Sequence, residues 1–165
     1  MIDVIEYAGN VYPALQSTGF AAQYAFPFAK SILRGEGYDI GSNRQEWCFP
    51  GARMIDQNLA DGYDALHLPE GRVDYIFSSH MLEHVEGRFQ DVIEYWLSVL
   101  QSGGVIFLYL PNCDYQKYWA WGNNKHVHYL CPSIMREYCE TLKVNKFFVT
   151  DGHDLNGSFY CVIEK

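Results

Sequence analysis

Residues 73–112 read VDYIFSSHMLEHVEGRFQDVIEYWLSVLQSGGVIFLYLPN, and their pattern decides the fold class. VDYIFS is rich in β-branched and aromatic side chains and too short for a buried helix, so it predicts an interior strand. From Phe89 the apolar residues Phe89, Val92, Ile93, Trp96, Leu97 and Leu100 recur at i, i+3, i+4, i+7, i+8 and i+11. That is one stripe of a helix facing a core. Gly103 and Gly104 read as a left-handed helix stop, and VIFLYL predicts a second strand that is apolar on both faces. Strand, helix and strand within about 40 residues make a βαβ unit, whose crossover is almost always right-handed. The fold class this predicts is α/β, with a mostly parallel sheet.

Working outward toward the N-terminus, GYDIGSNRQEW (37–47) and FPGARMIDQN (49–58) predict two further strands, Tyr38–Ile40 and ARMID ending at Asp56. A strand, a glycine turn and an acid roughly 15–20 residues later outline half of a nucleotide-binding unit. The glycine lets a ligand approach the backbone, and the acid accepts hydrogen bonds from two ribose hydroxyls. Only Gly41 is present of the expected glycine set; Asn43 and Gln45 stand where further glycines would sit. Asn43 could hold a turn at positive φ at modest strain. The connections 41–52 and 56–64 leave little room for crossover helices. One face of that half-sheet therefore needs cover from the N-terminal segment or from a second copy of the chain, and a homodimer is one expectation. Residues 1–34, with scattered aromatics and breaks at Pro13 and Pro27, read as a cap or lid on a single domain spanning 1–165. FAKSILRG within them predicts a helical turn or two. DALHLP (64–69) predicts a short strand or turn.

Toward the C-terminus, the run from Cys113 to Leu130 predicts a long irregular loop rich in aromatics and histidines, where substrate sites of parallel sheets tend to lie. PSIMREYCETL predicts a helix with Pro132 in its first turn and Ile134, Met135, Tyr138, Cys139 and Leu142 on one face. NKFFVT and SFYCVIEK predict a closing antiparallel pair around DGHDLNG.

Composition excludes several classes. No run of eighteen apolar residues exists, so no membrane helix is expected, and the acidic N-terminus lacks a signal-peptide pattern. The net charge of -8 argues against a nucleic-acid partner. Five cysteines without CxxC spacing read as reduced thiols of a cytoplasmic protein rather than zinc ligands or disulfides.

Taken in order, DIGSN, MID, DALHLP, VDYIFSSHMLEHV, LQSGGVIFLYLPN and NKHVHYLCP closely resemble the class I S-adenosylmethionine-dependent methyltransferases, over roughly residues 35–165. The resemblance implies a Rossmann-like sheet with shortened crossovers, S-adenosylmethionine as cofactor, and an unidentified, small-molecule methyl acceptor. It implies that Asp39, Gly41, Ser42 and Asn43 form the loop under the methionine part, and that Asp56 holds the ribose with Gln57 beside the adenine. Asp64 would face the adenine amino group, Ala65 and Leu66 would flank the ring, and Ser79 and His80 would lie near the transferred methyl. His80, His84, His126 and His128 are the candidates for a general base, needed only if the acceptor must lose a proton. Glu83, His84 and a histidine of the 126–128 pair resemble the magnesium ligands of small-RNA 2′-O-methyltransferases. Those enzymes add a glutamate at the position of His80, so no metal is expected here. Two other readings remain: a binding module of this fold that has lost turnover, and an NAD-dependent oxidoreductase, for which the G-x-G-x-x-G set is missing.

Overall fold

A computed structural model describes residues 4–7, 10–13, 20–114 and 126–165. The part of the predicted Cys113–Leu130 loop at residues 115–125 falls outside the described residues. In chain order the elements are β1 (Val4–Tyr7), β2 (Asn10–Pro13), α1 (Ala22–Ile32), β3 (Gly37–Ile40), β4 (Arg53–Ile55), β5 (Val73–Ser79), α2 (Phe89–Val99), β6 (Leu100–Pro111), α3 (Pro132–Thr141), β7 (Lys146–Val149) and β8 (Ser158–Glu164). Short 3-10 turns sit at Gln45–Trp47 and Leu82–His84. β1 and β2 form an antiparallel hairpin, and the other six strands form one sheet in the order β4-β3-β5-β6-β8-β7. The pairs β4–β3, β3–β5 and β5–β6 are parallel; β6–β8 and β8–β7 are antiparallel. This is the Rossmann-like arrangement, mostly parallel with an antiparallel C-terminal edge.

The period-two alternation of the central strands sends two different sets of side chains to the two faces. On one face Ile76, Ile106, Leu108 and Leu110 meet Val92, Ile93 and Trp96 of α2 and Met135 and Cys139 of α3, all buried in one cluster. On the other face Tyr75, Phe77, Phe107 and Tyr109 form an aromatic carpet with Phe49. Phe49 stacks on Phe77 at 5.0 Å between centroids, and Phe77 on Phe107 at 5.6 Å. α1 lies over that carpet. Its contact stripe is Ala21, Ala25 and Ala29, small residues at four-residue spacing that let the helix come close to the bulky rings.

The N-terminal segment is thus more regular than the sequence suggests. Pro27 does not break it; it sits inside α1, exposed, while the stripe on the opposite side stays buried. The cover that the short β3–β4 connection cannot provide comes from α1 and Phe49 within one chain. Between Gly41 and Ala52 there is only the 3-10 turn, braced by Arg44 over the Trp47 ring at 4.3 Å and by Phe20 stacked on Trp47.

Other boundaries differ from expectation for local reasons. α2 stops at Val99, because Leu100 already pairs with Val73 in the sheet; Gly103 does adopt φ 77°, but as a kink inside β6 rather than as the helix stop. Of the strand or turn expected for DALHLP, the structure has the turn, closed by an isolated antiparallel bridge between Asp64 and His67. Ile134 of α3 is exposed, whereas Met135, Tyr138 and Cys139 are buried. Among the described residues no helix is long and apolar enough to cross a membrane, and the five cysteines are free thiols.

Candidate active site

The carboxyl ends of β3, β4 and β5 open onto one cavity of about 390 Å³. That volume lies within the range of about 300–1,000 Å³ usual for small-molecule sites. Gly41, Asp56, Gln57, Asp64, Ala65, Leu66 and His84 line it, so the sequence reading brought seven of its candidates to one place. Ile40, Ile55, Met81, Val85 and Glu86 also line it and carried no sequence signal beyond strand-end and loop position. Asp39, Ser42, Asn43, Ser79, His80, His126 and His128 are not part of this lining.

Gly41 follows β3 directly, its N–H donating to Ile55 O at 2.8 Å, and it turns the chain at φ 98°. A side chain here would be strained, and its Cβ would fall 2.4 Å from the Met81 side chain. Asn43 does not share the positive-φ role; among the described residues the only non-glycine with positive φ is His80. Asp56 stands one residue beyond β4. Both of its hydrogen bonds fall on Oδ1, from Asn58 N–H at 2.8 Å and Asn58 Nδ2 at 2.7 Å, which fixes the carboxylate over the cavity mouth.

Asp64 is engaged by its own turn. Oδ1 accepts from the Leu66 and His67 N–H groups at 2.7 and 2.9 Å, and His67 Nδ1 lies 3.0 Å away. Partial burial pushes its pKa up, but these hydrogen bonds outweigh that and lower it overall. The turn is anchored from behind, where Trp96 Nε1 donates to Ala65 O at 2.8 Å and the Leu68 N–H donates to Tyr95 Oη at 2.9 Å.

Asp39 points below the loop rather than into the cavity. It is buried, and Oδ2 accepts the Phe49 N–H at 2.6 Å, tying the short β3–β4 connection to the sheet. Burial pushes its pKa up to about 7, against the smaller lowering by that hydrogen bond. The folded state therefore holds a proton here that the unfolded chain loses near pH 4. The stabilisation this represents is full below about pH 4 and is lost as pH rises through about 7. Asp39→Asn should remove that slope, by an amount on the order of a few kcal/mol between pH 5 and 8. Urea midpoints of both proteins at the two pH values check it; parallel profiles would contradict it.

The four candidate histidines play different geometric parts. His80 directly follows β5 with φ 50°, a conformation that is sparse for side-chain-bearing residues, and its Nε2 lies 2.7 Å from Ser158 Oγ. Burial first, then the His126 and His84 imidazoles, push its pKa down to about 3, so the ring is neutral near pH 7. Beside it Tyr109 donates to Asp154 Oδ2 at 2.6 Å, and Asp154 Oδ1 accepts from the Asn156 and Ser158 N–H groups. This support from the DGHDLNG turn was invisible in the sequence, where the segment reads only as a hairpin connection. His84 and His126 meet edge to face at 4.7 Å. His128 is spent on the scaffold, with Nε2 2.8 Å from Val85 O.

The profile of the family described as "Methyltransferase domain" matches residues 18–108. The chain belongs to that family, the class I S-adenosylmethionine-dependent methyltransferases. No curated protein matches the sequence. Solved structures of the same fold include a SAM-dependent methyltransferase of Archaeoglobus fulgidus, with TM-score 0.65, 15% identity, and 91% of this chain and 94% of that one covered. The N-methyltransferase NodS of Bradyrhizobium japonicum WM9 in complex with S-adenosyl-L-homocysteine gives TM-score 0.58 at 13% identity, covering 92% and 87%. A proposed O-methyltransferase of Nostoc punctiforme PCC 73102 gives TM-score 0.63 at 12% identity over 90% of this chain; the chain spans only 58% of that protein's length.

Proposed function

We propose that this chain transfers the methyl group of S-adenosylmethionine to a small-molecule acceptor bound on the His84 side of the cavity, in the cytoplasm. One observation carries the reading: the Gly41 turn, the Asp56 carboxylate and the Asp64–Leu66 turn line a single cavity at the carboxyl edge of the sheet. The residues fit the cofactor. Asp56 offers Oδ2 to the ribose hydroxyls, Ile55, Ala65 and Leu66 supply apolar surface for the adenine, and Gly41 lets the methionine part reach the backbone. When bound, the sulfonium supplies a carbon already activated for in-line displacement, so the protein's task is alignment. His84, the one candidate histidine that lines the cavity, takes a proton from a hydroxyl acceptor, while His80, neutral near pH 7 and tied to Ser158, supports the wall behind it. An amine acceptor arriving unprotonated needs no such base.

The short β3–β4 connection favours a second reading, a binding module that keeps the cavity and has lost turnover. Thermal shift and product assay separate the readings. At about 100 times the dissociation constant a ligand adds about 2.7 kcal/mol. S-adenosylhomocysteine should then raise the melting temperature by roughly 5–10 °C. NAD at the same concentration should leave it unchanged. Release of S-adenosylhomocysteine in an acceptor screen supports the transferase, and binding without release supports the module. A shift with NAD alone would sink both.

A further inference from the structure

β7 is the last strand in the order β4-β3-β5-β6-β8-β7, so one of its edges has no neighbouring strand among the described residues. It lies at the opposite end of the sheet from β4. An edge strand is a template for another strand, and natural edges are commonly blunted by charge. Here the one charge in the strand, Lys146, is spent on Glu164 Oε2 at 2.8 Å, while Phe148 leaves 49% of its surface to solvent.

The face that carries Phe148 is also uncovered. A groove of about 520 Å³ runs between α1 and β7, with Phe28 and Ile32 on one wall, Phe148 on the other, and Val105 and Val162 among its lining. Phe147 and Val149 turn the other way and pack into the core on the α3 side.

The hydrogen bonding of β7 selects the pairing its free edge allows. Phe148 lies opposite Val162 of β8, and two residues on, the Thr150 N–H donates to Tyr160 O at 3.1 Å. In an antiparallel ladder, residues that bond across alternate with residues that do not. Lys146, Phe148 and Thr150 therefore turn their main-chain groups toward β8, and Phe147 and Val149 turn theirs outward. Val149 O is taken by Arg136 Nη2 at 3.1 Å, which leaves Phe147 with an open donor and an open acceptor.

We propose that two copies of this chain pair antiparallel through β7, Phe147 opposite its counterpart, and so join their sheets into one. A two-fold axis at Phe147 is the commonest symmetry of oligomers, and each Phe147 N–H then donates to the other's carbonyl. The register sets the side-chain neighbours. On the groove face, Phe148 of one copy lies opposite Lys146 of the other, in the closely spaced type of cross-strand pair. Beyond the strand, the end carrying the exposed Lys143 meets the end carrying Asp151. Asp151 has 93% of its side chain exposed and holds Arg136 through Oδ1, at 2.6 Å. An unrelated strand without a cation at one end and an acid at the other gains the main-chain bonds alone. The charge pattern of β7 is thus complementary to itself, and it favours a second copy over a foreign peptide.

Sedimentation velocity of the whole chain from about 1 to 200 µM tests the assignment. A reversible equilibrium that stops at two chains is expected, because a two-fold contact uses up the edge. Each substitution acts twice across the axis, so Phe148→Glu should raise the dissociation constant by at least roughly tenfold. Lys143→Glu should weaken the dimer several-fold, and Lys143→Glu combined with Asp151→Lys should recover most of that loss. Urea midpoints check that each variant keeps its fold; if Phe148→Glu lowers its midpoint, the exposed charge pair carries the comparison. A monomer throughout the range, a dimer indifferent to a folded Phe148→Glu, assembly beyond two chains, or a double variant no better than Lys143→Glu alone would each overturn the proposal.

Discussion

Asp56→Ala should cost S-adenosylhomocysteine affinity about two orders of magnitude, measured by isothermal titration. A carboxylate that accepts two hydroxyl hydrogen bonds contributes about 1.5–3 kcal/mol for each. Each 1.4 kcal/mol is about tenfold in affinity. Asp56 is only half-buried, so solvent screens it and the lower end of that range applies. Because its Oδ1 also holds Asn58, the fold should lose at most about 1 kcal/mol. Asp56→Asn keeps one acceptor and should fall between the two. Affinity within threefold of the parent in Asp56→Ala would remove this residue from the cofactor's grip.

Trp96 should carry the largest stability effect. It is fully buried at the centre of the α2–sheet core, and Trp96→Ala should destabilise by about 3–5 kcal/mol. Its indole also donates to Ala65 O, which joins the core to the turn lining the cavity. Trp96→Phe retains most of the volume but drops that hydrogen bond, at about 1 kcal/mol. It should weaken S-adenosylhomocysteine binding several-fold through a looser 64–67 turn. Urea unfolding with a lowered midpoint and unchanged slope, followed by titration, reads both. A loss below about 1 kcal/mol in Trp96→Ala would contradict the packing argument.

The central βαβ unit was legible because its signals are local and strong. The stripe Phe89, Val92, Ile93, Trp96 sits on one helix face as its spacing requires, and Val73–Ser79 lies between two parallel neighbours. The cavity's outline was legible for the same reason, since Gly41 and Asp56 each directly follow a strand. What escaped depended on tertiary partners. Whether α1 would form could not be read from a window containing Pro27, because its stability comes from three alanines meeting an aromatic surface drawn from β5 and β6. Asp39, an acid at a strand end, looked like a cofactor contact; its burial against Phe49 N–H depends on how a short connection folds back. The strain at His80 likewise arises from its ties to Tyr109 O and Ser158, which lie far along the chain.

The placement of α1 has a consequence for how the chain is made. Its alanine stripe is complete early in synthesis, but Phe77 and Phe107, the rings it rests on, emerge much later. Until then the helix has nothing to dock against, and an isolated helix of eleven residues is marginal in water. Closure of that layer must therefore wait for long-range pairing, which slows folding and leaves the aromatic face bare to neighbouring nascent chains.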